Sequence, residues 1–222
     1  MPADLIHLVR HGEVFNPDGV LYGRLPEFHL SERGRRMAQL AASSLAGRPI
    51  VAVTASPLTR TRESAEPWID RFRDGLGGEG LRIDERLIEP ANRFEGLNIR
   101  AALKRDPFLA RHLLNPWRPS WGEPFASIAA RMMAAVADAH AGVEGGEVVL
   151  VSHQLPIWMV ARTAQGKPLA TDPRRRRCSL SSITTLAHDP AVAVPGAAGF
   201  VEVDYQEPAA ELLAEAIDLG AV

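Results

Sequence analysis

A single cysteine, Cys178, is all the chain holds, so no internal disulfide can form and a reducing compartment is expected. No apolar run approaches the ~20 residues that a membrane span needs. The opening Met1-Pro2-Ala3-Asp4 has neither a basic region nor a long apolar core, so no signal peptide is expected. Charge is almost balanced, with 25 Lys and Arg against 27 Asp and Glu and a net charge of −2. No bulk attraction to nucleic acid or an anionic membrane follows from that. These absences point to a soluble cytoplasmic protein with no nucleic-acid or membrane partner; a homodimer stays open. What is present is apolar residue content: 222 residues, 46% of them hydrophobic, suffice for one well-buried core. One domain over residues 1–222 is expected, with an irregular lid or insertion at about 85–124.

The stretch Asp4-Leu5-Ile6-His7-Leu8-Val9-Arg10-His11-Gly12-Glu13 is an apolar run that stops in a charged cluster. That suits a strand buried on both faces of a parallel sheet, with Arg10 and His11 at its carboxyl end. Gly12 is expected to turn the chain sharply and bring backbone N–H groups to the site. Asn16-Pro17-Asp18-Gly19 is a turn signal, and Ser31 is the expected N-cap of a helix with Met37, Leu40, Ala41 and Leu45 inward and Gly47 ending it. Ile50 to Ala55 reads as a second strand, followed by a helix from near Leu58 that Pro67 should kink or end. Leu81 to Asp84 suits a short strand. From Glu85 to Pro124 five prolines break every pattern, and this irregular, tryptophan-bearing stretch is expected to cover the site.

Phe125, Ile128, Ala129, Met132, Met133 and Val136 mark an amphipathic helix, and Glu147 to Val151 a third buried strand ending at Ser152-His153. Two late strands, Ser181 to Leu186 and Phe200 to Asp204, should run antiparallel, before a helix around Ala209 to Ile217. The order implies an α/β fold: a three-layer αβα sandwich around a mostly parallel central sheet.

Three strands thus end in polar clusters: Arg10-His11, Ser56-Pro57 leading to Arg60, and Ser152-His153. In a parallel-centred sheet these ends share one edge, where ligands bind. Alone, Arg60 is an ordinary solvated helix residue and His153 an ordinary edge histidine. Together, two arginines and two histidines near a helix N-terminus suit a phosphate.

These motifs are similar to those of the histidine phosphatase superfamily, with its phosphoglycerate mutase-like fold, from Leu5 to roughly Thr163. Leu8-Val9-Arg10-His11-Gly12-Glu13 resembles its signature, Ser56 to Ala65 its second motif, and Val149 to His153 its last. Leu87-Ile88-Glu89, followed by Phe94-Glu95-Gly96, resembles the segment with the family's proton donor. The resemblance implies His11 as nucleophile, Arg10, Arg60 and His153 as phosphoryl ligands, and Glu89 as acid. Asn16, Tyr22 and Gly23 match a loop that holds phosphate or substrate. It further implies a phosphohistidine intermediate, a small-molecule phosphoester substrate, and neither cofactor nor metal.

The sequence departs from the family pattern at Val14, at Gln154 where the superfamily usually has Gly, and around Glu89, where Pro90 follows and Phe94 replaces the usual Trp. Gln154 could donate to the phosphate or narrow the pocket, and Glu95 and Glu13 remain rival acids. Asn115 to Glu123 resembles a substrate-facing lid. A phosphomonoester hydrolase is the leading expectation, ahead of a mutase-type phosphotransferase and a non-catalytic phospho-ligand binder. His7 is expected to be packed, and His29, His112, His140 and His188 on the surface. Arg174 to Arg177 reads as a solvated basic face or, alternatively, a rim attracting acidic substrates.

Overall fold

The computed structural model describes residues 1–108, 122–170 and 176–218. Among the described residues there are six strands: β1 (Leu5–Arg10), β2 (Ile50–Ala55), β3 (Arg82–Ile83), β4 (Glu147–Ser152), β5 (Ile183–His188) and β6 (Phe200–Gln206). They form one sheet in the order β3-β2-β4-β1-β5-β6. The four strands β3, β2, β4 and β1 run parallel, and β5 and β6 complete the sheet antiparallel. The helices are α1 (Glu32–Ser44), α2 (Thr59–Arg71), α3 (Ile99–Arg105), α4 (Phe125–Ala141), α5 (Gln154–Ala164) and α6 (Ala210–Leu213).

Alternation along the central strands makes three layers. Ile6, Leu8, Val148 and Leu150 face a core built with Ile128, Met132, Val136 and Met159 of α4 and α5. Val9, Val53, Val149 and Val151 face the other way, onto Ala41, Ala65 and Trp68 of α1 and α2. The long apolar runs are therefore apolar because both faces are covered. His7 is packed as expected, bonded to Thr185 at 3.0 Å and Glu147 at 2.8 Å. Of the other histidines, His29 and His188 are exposed, His140 is half-buried, and His112 lies outside the described residues.

Ser31 caps α1 by accepting from the Gly34 N–H at 3.0 Å, as its position predicts. Two expectations need correction: α2 does not end at Pro67, and the last helix is shorter than forecast. Helix α2 passes through Pro67 to Arg71. A mid-helix proline costs ~3 kcal/mol. Just beyond it Trp68 and Phe72 are buried against β2, and burying large apolar side chains returns about 1.5–3 kcal/mol apiece. The helix forecast around Ala209 to Ile217 is only Ala210–Leu213, because the following segment is drawn toward Glu13 and Arg10 instead. Within 85–124, a 3-10 turn at Glu85–Leu87 and helix α3, capped by Asn98, replace part of the expected irregularity. Trp117 and Trp121, with most of the lid-like stretch, lie outside the described residues. Among the described residues no helix is long and apolar enough to cross a membrane.

Candidate active site

The parallel register carries the polar clusters to one edge. Arg10 pairs with Ser152 across β1 and β4, and Ala55 with Val151 across β2 and β4. One residue on from each end come His11, Ser56 and His153, with Arg60 in the first turn of α2 and His153 capping α5. All four expected groups are buried: Arg10 and His153 at 0% exposure, Arg60 at 1% and His11 at 2%.

The side chains meet directly. The His11 and His153 rings stand 5.2 Å apart, edge to face. Arg60 donates from Nη2 to the Gly23 carbonyl at 2.6 Å and lies 3.3 Å from His153 Nδ1. Its guanidinium also covers the Tyr22 ring at 4.7 Å. Tyr22 and Gly23 thus belong to the cluster, and burial pushes the Tyr22 hydroxyl up to about 12, so it remains a neutral phenol.

Hydrogen bonds assign the tautomers. His11 Nδ1 donates to the Gly12 carbonyl at 2.8 Å, which leaves Nε2 with its lone pair. His153 presents Nδ1 to the Arg60 donor, so Nε2–H donates to Ser56 Oγ at 2.8 Å. Ser56 orients a site ring and was not among the residues singled out. Burial, then the positive fields of Arg60 and Arg10, holds His11 well below the usual imidazole range. Burial also leads for His153, followed by Arg60, His11 and Arg10. Burial and the neighbouring guanidinium groups thus favour the neutral form of both rings.

Gly12 serves differently from the expectation. Its N–H donates to Ser64 Oγ at 3.1 Å, so it is spent on α2 and does not face a ligand. A Cβ on Gly12 would sit 2.3 Å from the Gly34 carbonyl oxygen, and one on Gly34 would sit 2.0 Å from the Glu13 oxygen. Close approach of two backbones, not a turn, requires glycine here.

The three rival carboxylates separate cleanly. Glu13 accepts from Ser31 Oγ, from Arg33 at 3.0 Å and from the Ile217 N–H at 2.8 Å. Glu95 accepts from the Arg24 and Asn92 N–H groups at 3.0 and 3.1 Å. Both are tied into the scaffold by these donors. Glu89 alone lies against the histidines: Oε2 is 3.5 Å from His153 Nδ1, and Oε1 is buried without a partner. Burial pushes its carboxyl up to about 7, against the pull of Arg60 and Arg10. Its segment is pinned by Arg24 Nε on the Glu89 carbonyl at 2.6 Å and by Ser152 Oγ on the Leu87 carbonyl at 2.7 Å.

Two expected ligands have other partners in the structure. Asn16 folds back on its own loop, bonding Val20 in both directions at 2.8 and 3.1 Å. Gln154 is half-buried beside His153, with Oε1 3.5 Å from Arg176 Nη1. Two further residues reach the site: Arg176, from the cluster offered as a substrate-attracting rim, and Asp218, which the sequence did not single out. The Asp218 carboxylate grips Arg10 with both oxygens, at 2.9 Å to Nη1 and 2.5 Å to Nη2, and the Cys178 carbonyl takes Nη1 at 2.7 Å. Of the basic cluster, Arg174 and Arg175 lie outside the described residues. Among those residues no group of three or more His, Cys, Asp or Glu is placed to hold a metal ion.

Neutral imidazoles, guanidinium groups and one protonatable carboxyl at a parallel sheet edge define a protein that handles phosphoryl groups. The chain belongs to the histidine phosphatase superfamily (branch 1), whose model matches residues 6–194. It is 48% identical over 213 residues to the uncharacterized protein Rv0525 of Mycobacterium tuberculosis, covering 95% of this chain and 100% of that one. The mycobacterial glucosyl-3-phosphoglycerate phosphatase Rv2419c in complex with VO3 superimposes with a TM-score of 0.70 at 25% identity, covering 90% of this chain and 96% of that one. The Probable phosphoglycerate mutase GpmB of Escherichia fergusonii is 28% identical over 185 residues, 80% of this chain and 83% of its own length. Solved neighbours of this fold include several phosphatases, and membership supports an enzyme acting on small phosphoesters.

Proposed function

We infer that this protein hydrolyses the phosphomonoester of a small metabolite through a phosphohistidine on His11. The observation that carries the reading is the His11 ring itself. It is buried, fixed through Nδ1 to Gly12 so that Nε2 keeps its lone pair, and held neutral by burial and by the charges of Arg60 and Arg10.

Nε2 attacks phosphorus while the P–O bond to the leaving alcohol breaks in line. The arginines stabilise charge on the three equatorial oxygens. Glu89, protonated up to about pH 7, gives its proton to the departing alkoxide, which leaves as alcohol. The resulting carboxylate takes a proton from water, hydroxide attacks the phosphohistidine, and inorganic phosphate leaves with Nε2 restored. The dianion at His153 Nδ1 favours protonation of that ring, so it turns from acceptor to donor as substrate binds. Guanidinium groups meet the charge demand in this scheme, so we expect turnover without added metal.

Hydrolysis of p-nitrophenyl phosphate in the presence of chelator, abolished by His11→Ala and accompanied by an acid-labile phosphoenzyme in the parent, tests the scheme. Full activity in His11→Ala would refute it. A phosphotransferase reading draws on the kinship with GpmB. Phosphate release from 3-phosphoglycerate, set against its interconversion with 2-phosphoglycerate, separates the two.

A further inference from the structure

Arg176 and Arg177 are neighbours that face opposite ways. Arg177 pairs with Glu202 and lays its guanidinium 4.4 Å from the Tyr205 ring, so it braces β6. Arg176 turns inward. On one side its Nη1 reaches Gln154, the residue after His153, at 3.5 Å. On the other, Cys178, two residues along, gives its carbonyl to Arg10. The Arg176 side chain is thereby bracketed between the His153 and Arg10 sides of the site, close enough for its charge to act on Glu89 and Arg10.

Its donors are nearly unspent. Nε is buried with no hydrogen-bond partner, the contact to Gln154 is at the limit of hydrogen bonding, and it makes no ion pair among the described residues. The residue is half-buried, and leaving its buried Nε–H unpaired is costly unless a ligand completes it. The partners of the three guanidinium groups agree. Asp218 holds Arg10 through both Nη atoms and the Gly23 carbonyl takes Arg60, so Arg176 is the one whose donors are least engaged.

We propose that Arg176 binds a second anionic group of the substrate, a carboxylate or another phosphate carried beside the phosphoester. This rests on the phosphomonoester reading for the neighbouring pocket and adds the class of ester the pocket prefers.

The test uses His11→Ala protein, which binds without turnover, and calorimetric affinities for glycerol 3-phosphate, 3-phosphoglycerate and propane-1,3-diol bisphosphate. The expected result is at least tenfold tighter binding of one doubly anionic ligand than of glycerol 3-phosphate. The carboxylate and bisphosphate arms identify which group is held. Adding Arg176→Gln should bring the ratio to within about twofold of unity, and Arg176→Lys should restore part of it. Adding Arg177→Gln, with the same change in net charge, should leave the ratio alone. A ratio near one without these changes, or equal weakening of all three ligands by Arg176→Gln, overturns the assignment. Hydrolysis of the same esters by wild-type protein is followed separately. No turnover with the ratio intact would sink the hydrolase reading and leave this one standing; turnover with no ratio does the reverse.

Discussion

Arg10, His11, Arg60 and His153 sit where strands end or helices begin, whereas Glu89, Arg176 and Asp218 arrive on stretches with no regular structure of their own. The first group is positioned by a ladder of backbone hydrogen bonds and two packed cores. The second is held by a few side-chain contacts, such as Arg24 to the Glu89 carbonyl. On the proposed reading, the regular half places the atoms that touch phosphorus, and the irregular half sets protonation and charge. Rigid elements suit the first task because a reacting nitrogen tolerates little misplacement. Loops suit the second because a change there alters the ester accepted without moving the attacking nitrogen.

The largest effect should come from the regular half. His11→Ala is expected to lower kcat for p-nitrophenyl phosphate by ~10⁴-fold or more, measured as initial rates of nitrophenolate release. Glu89→Gln tests the irregular half next. For alkyl monophosphates kcat/KM should fall by ~10²–10⁴-fold, and for p-nitrophenyl phosphate far less, because nitrophenolate leaves without a proton. A similar loss for both would deny Glu89 the acid role.

The pH profile sharpens the same contrast. The first step needs Glu89 protonated and His11 neutral. With the carboxyl raised to about 7 and the imidazole lowered from its usual range, kcat/KM for alkyl esters should fall as pH rises through about 7. The acid limb should lie below 6.5. In Glu89→Gln the alkaline limb should vanish from rate profiles, and its persistence would assign it elsewhere.

Smaller effects probe how each half is held. Gly34→Ala forces a Cβ against the Glu13 carbonyl oxygen, an overpacking that costs about 1–3 kcal/mol. A Tm lower by about 2–10 °C is expected by calorimetry. Asp218→Asn removes a partly exposed partner of Arg10 and should strengthen inhibition by inorganic phosphate about two- to fivefold. Unchanged inhibition would mean that the carboxylate and the phosphate do not compete.

The division also explains what the sequence made legible. The strand ends could be read because apolar runs and the polar clusters after them are contiguous in the chain. Parallel order then forces Arg10, Arg60 and His153 together. Glu89 was legible only through its resemblance to a family segment, and Glu13 and Glu95 were eliminated by donors that no spacing announces. Pro67 misled because a local penalty was offset by the burial of Trp68 and Phe72. Gly12 misled because its reason lies in Gly34, 22 positions away along the sequence. Asn16 shares a motif with true neighbours of the site yet spends its amide on Val20. Nothing local distinguishes Arg176 from Arg177 or marks Asp218, since their roles depend on where the chain comes to rest.

The grip of Asp218 on Arg10 makes arrival at this pocket an exchange and not an occupation. The resident carboxylate is fastened to the same molecule, so it competes as though present at ~mM concentration. A bare chloride or sulfate ion brings one attachment and must contend with a rival that never diffuses away. An ester that fastens at several points can displace it. On the proposed reading of the site, the chain would screen its visitors with a piece of itself, favouring polydentate guests over the simple salts around it.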